Sequence, residues 1–259
     1  MPADSSDTAA DPTDAAADPT DAAADPTDAA ADRAAATSAP SDAAADPAFP
    51  ERRHVLDDGC ERCPALVECR ERISWGTGPL DASVFVVGEA PGAGTPEADR
   101  WKGGNWTGMA YTARHSGRRI RSMLAAVGYD EEAYYTNAVK CFPADPDDPT
   151  TNREPTAAER ANCREHLVTE LETVEPDVVL ATGKHATTTV LAADGRTLDD
   201  LEGSGFLDVV LSPTRCERLD VRLLPILHPS YQDVWIGRLG YEPAEYLAAI
   251  RDRLDGHAD

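Results

Sequence analysis

Several groups of residues in this 259-residue chain have the types and spacing to do chemistry. The first is built from thiols. Cys60-Glu61-Arg62-Cys63 sets two sulfurs about one turn apart, so both can reach one centre, and Cys141 and Cys163 follow farther along. A lone C-x-x-C serves equally as a redox pair, a metal half-site or a coincidence. Four thiolates suit zinc as well as an iron-sulfur cluster, so spacing leaves the metal open. Cys69 and Cys216 stand outside any such pairing. The second group is Gly88-Glu89-Ala90-Pro91-Gly92, which by itself reads as a tight turn in which glycine supplies conformations other residues avoid. It has company in Thr136-Asn137-Ala138-Val139-Lys140-Cys141 and in His228-Pro229-Ser230. Taken singly, Asn137 is a turn residue and a His before Pro is a satisfied one.

These groups gain meaning from the elements that carry them. Ser83 to Val87 is a short continuous apolar run ending in Gly88, the pattern of a strand buried on both faces. A helix is expected from Ser116 through Ile120, Met123, Leu124 and Val127, closed by Gly128. Tyr134 to Val139 reads as a second strand. Thr156 with Glu159 forms a capping box for a helix that stops before Pro176. Asp177 to Thr182 and Arg222 to Leu227 read as further strands, Lys184 to Ala193 and Pro243 to Leu254 as helices. Such alternation implies an α/β fold, three layers with a mostly parallel four-stranded sheet between helices, and ligands beyond the carboxyl ends of the strands. Three strand ends then present a carboxylate, an amide and an imidazole toward one crevice.

The ordered set of motifs resembles the iron-sulfur uracil-DNA glycosylases of family 4. It runs from residue 58 to 255 through the C-x-x-C, Gly88 to Gly92, Thr136 to Cys141, Asn152-Arg153-Glu154-Pro155, Cys163, Pro176 with Gly183 and Ala186, and His228-Pro229-Ser230. The resemblance implies a 4Fe-4S cluster on Cys60, Cys63, Cys141 and Cys163 and removal of uracil from DNA. Two departures stand out. The stretch from Ala93 to Gly117 is longer than in a typical member. Within it, Gly103 to Gly108 with Ser116-Gly117 looks like family 5, a related group of broader base range, while Glu89 argues for family 4. Tyr111 then corresponds to the usual pocket Phe.

The implied roles have physical reasons. Uracil offers an acceptor at O4 and a donor at N3, matching the NH2 and oxygen of Asn137, while cytosine reverses both, so a locked amide discriminates by leaving buried groups unpaired. His228 and backbone N–H groups of the Glu89 to Gly92 turn, Ala90 among them, would stabilise the departing uracil anion. Glu89 would orient or activate water or stabilise the cationic sugar, Tyr111 would stack on the extruded base, and Ser230 and Tyr231 would enter the vacated groove. Two other readings remain beside this one. A family 5-like enzyme would accept more bases, and a non-catalytic iron-sulfur or zinc DNA-binding protein would use the cysteines alone.

Composition divides the chain. Residues 1–50 hold eleven Asp, a single Arg and little beyond Ala, Pro, Thr and Ser, with a seven-residue repeat in which Pro forbids a coiled coil. A disordered acidic tail is expected there and one domain over 51–259. The body is acidic in its own right, with 36 acids against 23 bases, which suggests a cytoplasm of very high ionic strength. With no basic start and apolar run at the N-terminus and no long apolar span, a cytoplasmic monomer without membrane attachment is expected. Acidity of this degree ordinarily argues against nucleic acid as a partner. Against it stands one basic cluster, Arg114, His115, Arg118, Arg119 and Arg121, at a helix start where the dipole disfavours cations. Arg118 and Arg119 are read as contacts to DNA phosphate, with pairing to surface carboxylates as the alternative.

Overall fold

The computed structural model describes residues 46–203 and 205–256. Its centre is a parallel ladder of strands, buried throughout except at Arg222: β1 (Val84–Gly88), β2 (Ala133–Asn137), β3 (Val178–Thr182) and β5 (Val221–Ile226). With β4 (Thr214–Cys216) the sheet order is β2-β1-β3-β5-β4. Continuous apolar runs need cover on both faces, and the pleat sends alternate residues each way. Val84 and Val86 meet Ile120 and Leu124 of α3 (Ser116–Val127) and Tyr246 and Ile250 of α8 (Pro243–Leu254). Phe85 and Val87 meet Leu167 and Leu171 of α4 (Ala157–Val174) and Val190 and Leu191 of α5 (Lys184–Asp194). Short helices fill the connections: α1 (Pro64–Cys69), α2 (Gly104–Thr107), α6 (Phe206–Val209) and α7 (Gln232–Trp235).

The three-layer α/β reading of the sequence therefore holds, with one correction. The sheet has five strands rather than four, because Thr214–Cys216 pairs antiparallel with β5 at the edge. Three residues of mixed burial carry no readable period, and Asp220, with φ of +52°, turns the chain back. The capping box is as read: Thr156 Oγ1 accepts from the Glu159 amide at 3.2 Å, and Glu159 accepts from the Thr156 amide at 2.7 Å. Of the expected tail, residues 1–45 lie outside the described residues. Residues 46–50 pack on the domain, since Phe49 meets Trp101 edge-on at 5.0 Å with Arg100 over its ring at 5.2 Å.

One polar network lies inside this apolar frame. Lys140 and Glu170 pair at 2.5 Å with side chains only 1% and 2% exposed. Lys140 Nζ also donates to Thr136 Oγ1 and to the Asn137 carbonyl, both at 2.7 Å. Glu170 accepts further from Thr136 at 2.7 Å and Tyr134 at 3.2 Å. A buried pair is tolerated only when its remaining hydrogen-bonding capacity is filled, as it is here, and removing one partner strands a charge. Lys140→Met should lower the unfolding free energy by about 3–5 kcal/mol, and adding Glu170→Gln should recover part of that loss in equilibrium denaturation. A single-variant cost below about 1 kcal/mol would mean that the pair is not what secures the end of β2.

Candidate active site

Beyond the carboxyl ends of the strands lies a cleft that is partly open to solvent. Glu89, Ala90, Tyr111, Asn137 and His228 all line it, so the residues singled out on three strand ends do converge. The register explains how. Gly88 of β1 pairs directly with Asn137 of β2, and the ladder continues as Ala138 donates to the Gly88 carbonyl at 2.7 Å and Val139 to the Glu89 carbonyl at 2.8 Å. A Cβ at Gly88 would overlap both Asn137 Oδ1 and the Tyr111 hydroxyl, so glycine there makes the room that these two side chains occupy. Asn137 is 5% exposed, and its carbonyl is held by Lys140. Tyr111 has φ of +53°, and its hydroxyl shares a 2.7 Å hydrogen bond with Thr182 Oγ1 at the end of β3.

His228 reaches the cleft from the end of β5. The Ser230 amide donates to its Nδ1 at 3.3 Å, which leaves the proton of a neutral ring on Nε2. Ser230 is not among the residues that line the cleft, and its amide supports the imidazole. Gly183, with φ of +91°, lets the neighbouring loop come close, since a Cβ there would sit 3.1 Å from His228 Cβ. In the sequence Asn152 stands out only as part of the Asn152-Arg153-Glu154-Pro155 motif. Its Oδ1 accepts from the Ala93 amide at 3.0 Å and its Nδ2 donates to the Pro91 carbonyl at 3.3 Å, so one buried amide clamps both ends of the Pro91–Ala93 turn. Trp106 Nε1 braces the same turn through the Ala93 carbonyl at 2.7 Å.

The cysteines separate into two kinds. Cys60, Cys63, Cys141 and Cys163 gather around Leu66, Ile73, Trp75 and Val139, next to Ala90 of the cleft. Three of these sulfurs accept from N–H groups: Cys63 from Asn162 at 3.4 Å, Cys141 from Arg70 at 3.2 Å and Cys163 from the Lys140 amide at 3.4 Å. The fourth, Cys60, lies 3.5 Å from His166 Nε2. Cys69, in the same region, behaves as an ordinary thiol and donates to the Phe142 carbonyl at 3.1 Å, while Cys216 is buried in the sheet core. Burial pushes the Cys141 thiol up to about 11 and that of Cys163 upward, against the pull of Arg70 and of the Lys140 amide. Among the described residues, the trio of metal-ligand atoms mutually within 4.8 Å is Asp57, Cys60 and His166, not a set of cysteines.

Residues 75–252 match the family model for the uracil DNA glycosylase superfamily. The chain belongs to this superfamily. It is 31% identical over 212 residues to a type-5 uracil-DNA glycosylase of Pyrobaculum aerophilum, covering 71% of this chain and 83% of that protein. Over 177 residues it is 30% identical to a type-4 uracil-DNA glycosylase of Thermotoga maritima, covering 66% and 77%, and over 174 residues 30% identical to one of Archaeoglobus fulgidus, covering 66% and 76%. Similarity to both types accords with the mixed motifs of this member of the superfamily. The segment resembling family 5 forms α2, and its Gly104 lines the cleft with Tyr111.

The basic cluster of this glycosylase-superfamily chain is divided by the fold. Arg118 pairs with Asp46, and Arg119 pairs bidentately with Asp233 while donating to Gln232 at 3.2 Å. In this structure both guanidiniums are therefore engaged by carboxylates; Arg119 holds Asp233 below the ordinary carboxylate range. Arg121 faces inward and is buried. Because the cleft depends on the missing side chain of Gly88, Gly88→Ala should cut the specificity constant on uracil-containing DNA by about a hundredfold, through displacement of Asn137 and Tyr111. DNA affinity should change little, as a binding titration beside the kinetics would report. A parental specificity constant would show that the Gly88 space is not critical.

Proposed function

We propose that the protein is a DNA-repair glycosylase that hydrolyses the N-glycosidic bond of uracil in DNA. The observation that carries this reading is the convergence of Glu89, Ala90, Tyr111, Asn137 and His228 on one cleft in a chain of this superfamily. A base extruded from the helix enters the cleft against Tyr111. Asn137 Nδ2 donates to uracil O4 and its Oδ1 accepts from N3–H; cytosine would meet donor with donor and acceptor with acceptor. As the bond from C1′ to N1 breaks, its electron pair passes to the base, and negative charge spreads onto O2. The Nε2–H of His228 donates to that oxygen, with the backbone turn of Glu89 to Gly92 as a second source of donors. Glu89 faces the cationic sugar and takes a proton from the water that attacks C1′, leaving an abasic site. Ser230 supports this chemistry through His228.

The same reading assigns Cys60, Cys63, Cys141 and Cys163 to a 4Fe-4S cluster. The residues fit it. Three of the four sulfurs accept from N–H groups and the fourth lies beside a histidine ring nitrogen, a partly apolar, donor-rich surrounding of the kind thiolate ligands need. A single zinc ion would draw tetrahedral sulfurs to roughly 3.8 Å apart, closer than any three cysteine sulfurs lie among the described residues. When bound, the group supplies cross-linking: it ties the segment before α1 to the loop after β2 and to α4. Arg118 and Arg119, 40% and 37% exposed, are proposed to exchange their carboxylates for DNA phosphates on binding. The acid excess of the body supports work in a cytoplasm of high ionic strength. The likeness to a type-5 enzyme supports, as a second reading, a base range wider than uracil.

Two experiments test these assignments. His228→Ala should lower the single-turnover rate of uracil excision by about a hundredfold, the loss of one anion-stabilising donor. Asn137→Asp should impair uracil recognition, since a carboxylate cannot donate to O4; excision at the parental rate by Asn137→Ala would overturn the recognition scheme. The purified protein should absorb broadly near 400 nm, as thiolate-bound iron-sulfur centres do. Cys63→Ser or Cys163→Ser should bleach and destabilise it, whereas Cys69→Ser and Cys216→Ser should not. Stoichiometric zinc without iron would overturn the cluster.

A further inference from the structure

Arg121 is a buried cation in an unusual setting. It is 8% exposed, and among the described residues no carboxylate pairs with it. Desolvation lowers the guanidinium to about 10, so it remains charged at neutral pH. Its charge is met by dipoles and a ring. Nε donates to the Tyr111 carbonyl at 3.0 Å, Nη2 donates to Thr77 Oγ1 at 2.7 Å and to the Ala110 carbonyl at 3.3 Å, and the guanidinium lies 3.9 Å from the centroid of the Tyr135 ring.

The residue that receives the Nε bond is under conformational strain. Tyr111 has φ of +53°, a left-handed backbone that residues with a Cβ disfavour and that persists only where the surroundings enforce it. Two residues four apart on the same face of α3 do so. Gly117 lies flat against the Tyr111 carbonyl, where a Cβ would come within 2.6 Å of both its carbon and its oxygen, and Arg121 bonds that oxygen from the next turn. The reversal brings the Tyr111 hydroxyl to Thr182 and over Gly88 beside Asn137. A Tyr in the ordinary right-handed or extended conformation would aim its ring elsewhere.

We propose that Arg121 is a positioning residue of the glycosylase, fixing Tyr111 in its left-handed conformation so that the aromatic ring stands beside Asn137 in the cleft. This rests on the proposed role of Tyr111 against the extruded base. A buried arginine that served folding alone would affect the amount of folded protein and not the rate of each folded molecule. Arg121 acts on both.

The test uses the full chain and a single-turnover assay on a uracil-containing oligonucleotide, with the folded fraction measured by denaturation. Arg121→Met should slow excision by about tenfold or more, while Arg121→Lys, which keeps the charge but reaches fewer acceptors, should fall between Met and the parent. In a Tyr111→Ala background, itself slow, Arg121→Met should cost no further rate although its stability cost persists. An equal fold-loss in both backgrounds, or a parental rate for Arg121→Met beside a slow Tyr111→Ala, would overturn the proposal and leave the role of Tyr111 standing. A parental rate for Tyr111→Ala would instead overturn the role of Tyr111. Should Arg121→Met not fold, Arg121→Lys decides in the same two backgrounds: a rate loss confined to the parental background supports the proposal, and an equal loss in both overturns it.

Discussion

The cleft depends on one missing side chain. In the parallel ladder between β1 and β2, Gly88 is the partner of Asn137, and the space a Cβ would fill is taken by the amide of Asn137 and the hydroxyl of Tyr111. A shift of the register by one residue would send the strand's side chains to opposite faces, and any larger residue at position 88 would push the amide and the phenol apart. The apolar content of β1 serves this end as well as stability. Val84 to Val87 are buried in alternation on both sides of the sheet, which fixes the register that delivers Gly88 to its place.

Around that point two buried cations hold two backbone carbonyls. Lys140 bonds the carbonyl of Asn137 from beneath one side, and Arg121 bonds the carbonyl of Tyr111 from the other. They are compensated differently. Lys140 has a carboxylate and two further acceptors, whereas Arg121 has carbonyls, a hydroxyl and an aromatic face. An ammonium is compact and strongly hydrated and so requires a full counter-charge when buried, while a planar, weakly hydrated guanidinium is content on a ring. Lys140 also extends the network outward, because its own amide donates to Cys163. Under the proposed reading the base-recognition amide and the metal centre thus share one short segment, residues 137–141.

Much of this was legible from the sequence because it is local. Strand ends, the capping box at Thr156 and the glycine stop at Gly128 follow from neighbours along the chain, and the structure has them within a residue or two of their expected bounds. The convergence of Glu89, Asn137 and His228 also followed, since a parallel sheet gathers its strand ends on one side. What stayed hidden was long-range. β4 is too short to carry a period. Asn152 clamps a turn 61 residues away, and nothing in its own surroundings announces that. Arg121 looked like its basic neighbours because charge is visible in sequence and direction is not; only its placement four residues after Gly117, on the inward face of a helix, tells it apart. Lys140 was hidden for the same reason, a lysine whose apolar neighbours gave no sign of a carboxylate 30 residues on.

The division between buried and exposed pairs bears on how so acidic a chain handles DNA. In concentrated salt, screening acts over about 3 Å at 1 M, which weakens exposed pairs far more than buried ones. Arg118 with Asp46 and Arg119 with Asp233 are of the exposed kind, Lys140 with Glu170 of the buried kind. The buried pair that holds Asn137 is therefore insulated from ionic strength, while Arg118 and Arg119 are held by exposed carboxylates whose attraction weakens with salt. Under the proposed reading, an exposed carboxylate on such an arginine is a placeholder. It neutralises the cation at the amino end of α3, and on that reading it would yield the cation to phosphate at little cost, since the pair itself contributes little. Acidity at the surface and affinity for a polyanion cease to conflict once the few cations that matter are those whose present partners are weak.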